Sequence, residues 1–177
     1  MEFNDEITSA FEHLLTSVRS VRRRIDFKRE VEDSVLLNCI NIAVQAPTGR
    51  GEEGWNFLVV KERQRIKAIS EVYREVLLEF VEKAGAPMKS SHRALMDRLG
   101  EFPALIFACK EGAPEQGFAS QAAYFGSILP AAWSLMIALR AKNIGATWTT
   151  LLTARHQRVS EILGMPSSAR QLVMLPV

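Results

Sequence analysis

Reactive and metal-binding side chains are scarce in this chain. Among 177 residues there are two cysteines and three histidines. Cys39 and Cys109 lie far apart, each in an apolar run, and no CxxC pair occurs. That excludes a disulfide framework and reads as two reduced core thiols in a cytoplasmic protein. His13, His92 and His156 are scattered and match neither zinc-ligand nor base–nucleophile spacing. They read as surface or half-buried histidines, and no metal site and no catalytic triad is expected. An excess of one charge is also missing. The formal net charge is +2, from 22 Lys and Arg against 20 Asp and Glu, too small to imply a nucleic-acid partner by itself. The chain shows no internal repeat and no low-complexity segment. Its first residues, MEFNDEITSAFEH, are acidic and amphipathic, unlike a secretory leader.

The longest absence is of charge within one stretch. No Asp, Glu, Lys or Arg falls between Glu115 and Arg140. A helix apolar on every side must lie inside something. A bilayer is one reading, since Ala122–Leu139 just reaches spanning length. Gln121, Ser127 and Ser134 interrupt the run, however, and no second apolar segment exists. A central helix covered by its own domain and by a second copy of the chain is the better reading. Pro130 sits mid-run and would crowd the carbonyl of Gly126, so a kinked but continuous helix is expected.

Around this stretch the chain reads as one domain over residues 1–177, with about six helices and four strands. Ile7, Phe11, Leu14, Leu15 and Val18 share one helical face. Val35, Leu36, Ile40 and Val44 form another, ended before Pro47. Trp55–Val60 suits a strand, and a long amphipathic helix runs from about Glu62 to the Gly85–Ala86–Pro87 stop. A short helix follows near Lys89–Leu99. Phe102–Cys109 reads as a buried strand, and ATWTTLL after Gly145 as a third. Thr153 is the expected cap of a helix ending at Gly164, and QLVMLPV is the last strand. Helices separate all the strands, so a layered α+β or α/β domain is expected.

Three segments carry chemistry. Arg19, Arg22, Arg23, Arg24, Lys28 and Arg29 place six cations in eleven positions. They form either a solvated basic turn or an anion site, with Ser20 adding a hydroxyl donor and arginine forks suited to phosphate. Aromatic interleaving for nucleic acid is lacking. Gly49, Gly51 and Gly54 spell GxGxxG, but that dinucleotide fingerprint needs a strand before and a helix after. Here the order is reversed, so the glycines are read as letting a loop pass close to another surface or to a flat ligand. The third segment is Thr147-Trp148-Thr149-Thr150.

Arg19-Ser20-Val21-Arg22, then Ala46-Pro47-Thr48-Gly49 leading to Trp55, then Gly126-Ser127-Ile128-Leu129-Pro130-Ala131 followed by Thr147-Trp148-Thr149-Thr150, stand in an order that resembles the FMN-dependent nitroreductase family. The resemblance spans nearly the whole chain. It implies an α+β nitroreductase-like fold, with a mixed central sheet flanked by helices and a long central helix at a homodimer interface. It further implies that Arg19, Ser20 and Arg22 hold the FMN phosphate and ribityl chain. Pro47, Thr48 and Gly49 would line the ring from the partner subunit, and the backbone of Thr149, Thr150 and Leu151 would face its N5 edge. The reaction implied passes electrons from NAD(P)H through FMN to a nitroaromatic, quinone or similar small molecule, with the flavin rather than a side chain carrying the chemistry. No nucleic-acid or membrane partner is implied. Gly51 and Glu53 stand where the family usually has Asn and Gln. An ionised carboxylate only accepts hydrogen bonds, whereas an amide also donates. The family's C-terminal arm beyond the last strand is expected to be missing here. The competing readings are a flavin-binding protein with little turnover and a phosphate- or nucleic-acid-binding module built on Arg19–Arg29.

Overall fold

The computed structural model describes residues 3–48 and 54–177. Gly49, Gly51 and Glu53, three of the expected cofactor contacts, lie outside the described residues. Apolar periodicity forms the elements much where the sequence places them. They are α1 (Asp5–Ser17), α2 (Asp33–Ala43), β1 (Trp55–Val60), α3 (Arg63–Ala84), α4 (Ser90–Arg98), β2 (Leu105–Glu111), α5 (Phe118–Gly126), α6 (Leu129–Ala141), α7 (His156–Leu163) and β3 (Ala169–Pro176). Short 3-10 turns at Leu99–Glu101 and Leu151–Arg155 precede β2 and α7.

The three strands pair antiparallel in the order β1-β2-β3. β2 is the centre, and five of its seven residues are buried apolar side chains. Along it the side chains alternate between two cores. Ile106 and Ala108 join Leu36, Cys39, Leu135 and Leu139 from α2 and α6. Leu105, Phe107 and Cys109 join Ile66, Ile69, Tyr73, Leu95 and Val159 from α3, α4 and α7. A strand covered on both faces shows no polar alternation, which is why FPALIFAC reads as a continuous apolar run. The result is three layers, helices on each side of a sheet.

The ATWTTLL segment departs from expectation. Ala146–Thr149 lies beside β3, with Thr147 N–H donating to Pro176 O and Thr149 and Met174 exchanging both backbone bonds. It then leaves the sheet for the 3-10 turn at Leu151–Arg155 instead of continuing through Leu152. Thr153 is drawn into that turn. Its hydroxyl donates to Thr150 O at 2.8 Å, and α7 has no side-chain cap. On the other edge of Ala146–Thr149, Ser20 and Ala146 form an isolated parallel bridge. The three-stranded sheet itself is antiparallel rather than the expected mixed one, and the arginine segment is stitched to its margin by that bridge.

The central apolar run also differs in detail. Pro130 has no N–H for the Gly126 carbonyl, and the run is two helices with a break at Ser127–Ile128 rather than one kinked helix. Phe118–Ala141 is long and apolar enough to cross a membrane by length and composition. Its α6 half is nevertheless core, with Ala131, Ala132, Leu135, Met136, Ala138 and Leu139 buried. The α5 half is not covered: Phe118 is 88% exposed, Phe125 37% and, on α6, Trp133 43%. Helix α1 buries none of its residues, so the Phe11–Leu15 face is bare as well.

Two local features yield tests. Gly164 ends α7 at φ 66°, in the left-handed region, and an added Cβ would meet nothing nearer than Arg65 Nη1 at 3.8 Å. Gly164→Ala is therefore expected to cost only the left-handed backbone penalty, about 1–2 kcal/mol, read as a lower urea midpoint with unchanged slope. Cys109 is the second. Burial pushes its thiol up to about 12, so the nucleophilic thiolate is absent near neutrality. Ellman's reagent is expected to leave Cys109 untouched in native protein and to modify it once urea unfolds the chain. Rapid reaction in the native state would place it at the surface.

Candidate functional site

The site grows from the way α1 hands over to the sheet margin. After Ser17 the chain turns extended, with Val18 at ψ 128°, so Arg19–Arg22 can lie beside Ala146–Trp148. Val21 N–H donates to Ala146 O at 2.9 Å. The Ser20 hydroxyl accepts from Trp148 N–H at 2.7 Å, and the Thr147 hydroxyl donates to Val21 O. Arg22 then reaches Trp148 O at 3.4 Å. Arg23 meets the Ser90 hydroxyl at the first residue of α4. The structure thus stitches Ser20, Val21 and Arg22 to Ala146–Trp148, the segment that leads into Thr149, Thr150 and Leu151, more than a hundred residues away.

Electrostatics mark Arg22 as the centre of this group. It is half-buried, and its Nε is buried without a hydrogen-bond partner among the described residues. Tyr73, on α3, is a buried phenol whose pKa is raised by desolvation, against smaller opposing effects of a Thr149 hydrogen bond and the Arg22 charge. His92, on α4, is held below the usual histidine range by partial burial, by Arg22 and by Lys89. It is therefore neutral near pH 7. Sequence spacing gave no signal for Tyr73 or His92, because helices α3 and α4 reach the site only through tertiary packing. Arg19 is different: it is exposed and donates to Val18 O at 2.7 Å.

The turn after Thr149 has a definite donor pattern. Thr149 N–H is taken by Met174 O. Leu151 N–H is directed back to Thr149 Oγ1 at 3.3 Å. Thr150 O accepts from both the N–H and the hydroxyl of Thr153. Of the three expected backbone donors, only Thr150 N–H has no acceptor among the described residues.

Pro47 and Thr48 are exposed and half-buried respectively. No hydrogen bond joins either of them to the Arg19–Thr150 group among the described residues. Two clefts of about 400 and 370 Å³ are lined by other residues. The first lies between Ile25–Val35 and Lys142–Gly145, and its rim mixes Arg24, Arg29 and Lys142 with Asp26, Glu30 and Glu32. The second lies beside Lys110, Tyr124 and Ser127. Neither contains Arg22 or Thr150, and the Arg22 group forms a ledge outside both.

Comparison with known proteins finds relatives in sequence and in fold. The iodotyrosine deiodinase of Drosophila melanogaster is 30% identical over 156 residues, covering 81% of this chain and 53% of that one. The chain thus spans about half the length of this relative. Among solved structures, a BluB-like flavoprotein from Clostridium difficile superposes with a TM-score of 0.72 at 16% identity, covering 93% of this chain and 87% of that one. An oxidised iodotyrosine deiodinase bound to FMN and 3-iodo-L-tyrosine superposes at 0.70 with 22% identity, covering 94% and 87%. These two likenesses establish the fold. The model of a family described as the nitroreductase family matches residues 15–177, nearly the whole chain, and the protein belongs to the nitroreductase family.

Proposed function

We propose that this chain is one subunit of an FMN-dependent oxidoreductase that works as a homodimer. The observation that carries the reading is a pair of donors without partners among the described residues, Arg22 Nε on the strand edge bonded to Trp148 and Thr150 N–H two residues further on. A half-buried guanidinium with its Nε unpaired and a backbone donor without an acceptor among the described residues suit a flat acceptor-rich ring with an anionic tail. FMN, when bound, would take two electrons from NAD(P)H and pass them to a small molecule. Arg22 and Thr150 N–H would hold the ring, Ser20 would steady the ledge through Trp148, and Arg19 would meet the phosphate. Pro47 and Thr48 would come from the partner subunit and close the open side. A second copy would also cover the bare faces of α1 and α5, with an interface on the order of 2,000 Å². Cytoplasmic location and the absence of a membrane or nucleic-acid partner belong to the same reading.

The test is optical. Purified protein reconstituted with FMN is expected to be yellow, and NAD(P)H under argon is expected to bleach it. Bound FMN without bleaching would favour a flavin protein with little turnover. No bound FMN would overturn the proposal. Sedimentation at micromolar concentration should give a dimer, and a stable folded monomer would remove the partner-completed site.

Likeness to the iodotyrosine deiodinase of Drosophila melanogaster favours a second reading for the acceptor, a halogenated phenol. Two electrons and one proton would then replace the carbon–halogen bond with carbon–hydrogen and release halide. Pre-reduced protein challenged anaerobically with 3-iodo-L-tyrosine, a nitroaromatic and a quinone separates the acceptor classes, because only the first can yield iodide.

A further inference from the structure

Gln171 is a polar residue in a place that wants an apolar one. It lies on β3 opposite Cys109, flanked by buried Leu172, and is itself only 2% exposed. Its Nε2 donates to Leu152 O at 3.2 Å. Only the amide NH2 can face a carbonyl, so Oε1 must point elsewhere, and it is buried with no partner. An orphaned buried acceptor is destabilising. A leucine or methionine would fill the space without that cost, so stability alone does not explain a glutamine here.

What Gln171 does hold is the 3-10 turn at the exit of the cofactor ledge. Leu152 is the second residue of the turn Leu151–Arg155, and it follows directly on Thr149–Leu151. The near end of that segment is tied by Thr149 to Met174 and lies against the Tyr73 phenol. The outer face of the turn is clamped to α3, where Arg155 Nη2 donates to both carboxylate oxygens of Glu79 at 2.7 and 2.8 Å. Gln171 supplies the inner tie. Through it the turn is held from the sheet side at Leu152 O.

We infer that Gln171 is a positioning residue for the flavin-facing turn, acting on the cofactor through the Leu152 carbonyl and the Thr149–Leu151 backbone. The inference rests on the proposed FMN site. Gln171→Met keeps the volume and removes both the tie and the orphaned oxygen. Its thermal midpoint is expected to stay near that of wild type, since a lost hydrogen bond and a lost orphan offset each other. Its FMN Kd is expected to rise about tenfold, the equivalent of one hydrogen bond, with a shifted visible spectrum of the bound flavin.

Gln171→Glu supplies a readout that a purely structural role would not move. A buried carboxyl has a raised pKa, so at about pH 6 it is neutral and its O–H can donate to Leu152 O. Near about pH 9 the ionised form cannot donate. FMN affinity of Gln171→Glu is expected to approach wild type at the lower pH and to fall about tenfold at the higher, relative to wild type at the same pH. Gln171→Met should be weak at both. Ser160→Ala is the control, because Ser160 Oγ is another buried orphan on α7 with no tie to the turn's carbonyls. It should leave FMN binding unchanged. Wild-type FMN affinity in Gln171→Met, or a Gln171→Glu affinity that tracks wild type at every pH, would overturn the positioning role while leaving the FMN reading intact. If wild type itself binds no FMN, both fall.

Discussion

Phe107→Ala is expected to remove a large part of this protein's stability. Phe107 is fully buried at the middle of the central strand, paired across to Leu58 on β1 and to Met174 on β3. It projects into the core formed by α3, α4 and α7. Truncating a buried phenylalanine removes its transfer free energy and leaves a cavity, about 3–5 kcal/mol together. Domains of this kind have only about 5–15 kcal/mol to lose. Neighbours on two other strands and three helices restrict collapse around the hole, which argues for the upper part of the range. Leu58→Ala is the comparison, since Leu58 is half-buried on an outer strand and should cost clearly less. Urea unfolding followed by circular dichroism checks both. Equal midpoints for the two variants would mean the core beneath β2 repacks freely.

The contrast between Phe107 and Leu58 also explains what could be read from the chain. Helices α2 and α3 were legible because one face of each is buried, so apolar residues recur at helical spacing. Strands β1, β2 and β3 were legible as short apolar runs between turn signals. The antiparallel order was not legible. Each connection contains helices, and nothing in a run such as FPALIFAC says which neighbour it pairs with. The end of the Ala146–Thr149 segment was misread for a related reason. Its threonines favour a strand, but Thr150 O is captured by Thr153, and that local bond wins although β3 continues from Met174 back to Ala169.

For the site, the ordered motif set pointed to Arg19, Ser20, Arg22 and Thr149–Leu151 without any knowledge of the sheet. The structure adds the reason they meet, which is the Ser20–Trp148 and Val21–Ala146 bonds. Of the three expected backbone donors, it leaves Thr150 N–H without an acceptor among the described residues. Tyr73, His92 and Gln171 had no signal in the sequence. Each sits within a pattern that reads as ordinary helix or strand, and each approaches the site only because the layers stack.

Burial separates the two arginines of the ledge, and with them two functions. From the sequence both are expected at the phosphate and ribityl chain. In the fold Arg19 is exposed near the end of α1, while Arg22 is half-buried against Trp148 O, with Thr149 and Tyr73 close by. If Thr150 N–H meets the ring, Arg22 lies at the ring end and Arg19 is the one left for the phosphate. Arg19→Ala is therefore expected to weaken FMN and spare riboflavin, which has no phosphate. Loss of a charge-assisted bond is worth about 1.5–3 kcal/mol, or about 10- to 150-fold in Kd. An exposed contact is also screened by salt, so raising the ionic strength should shrink the difference between FMN and riboflavin in wild type. Arg22→Ala should weaken both ligands by similar factors, because the ring is common to them. Arg22→Lys should rescue it poorly, since an ammonium cannot reproduce the planar fork that reaches Trp148 O and still offers Nε. Quenching of flavin fluorescence, titrated with both ligands, measures all of these. Selective loss of FMN in Arg22→Ala, with riboflavin untouched, would return Arg22 to the phosphate and turn the flavin end for end on the ledge.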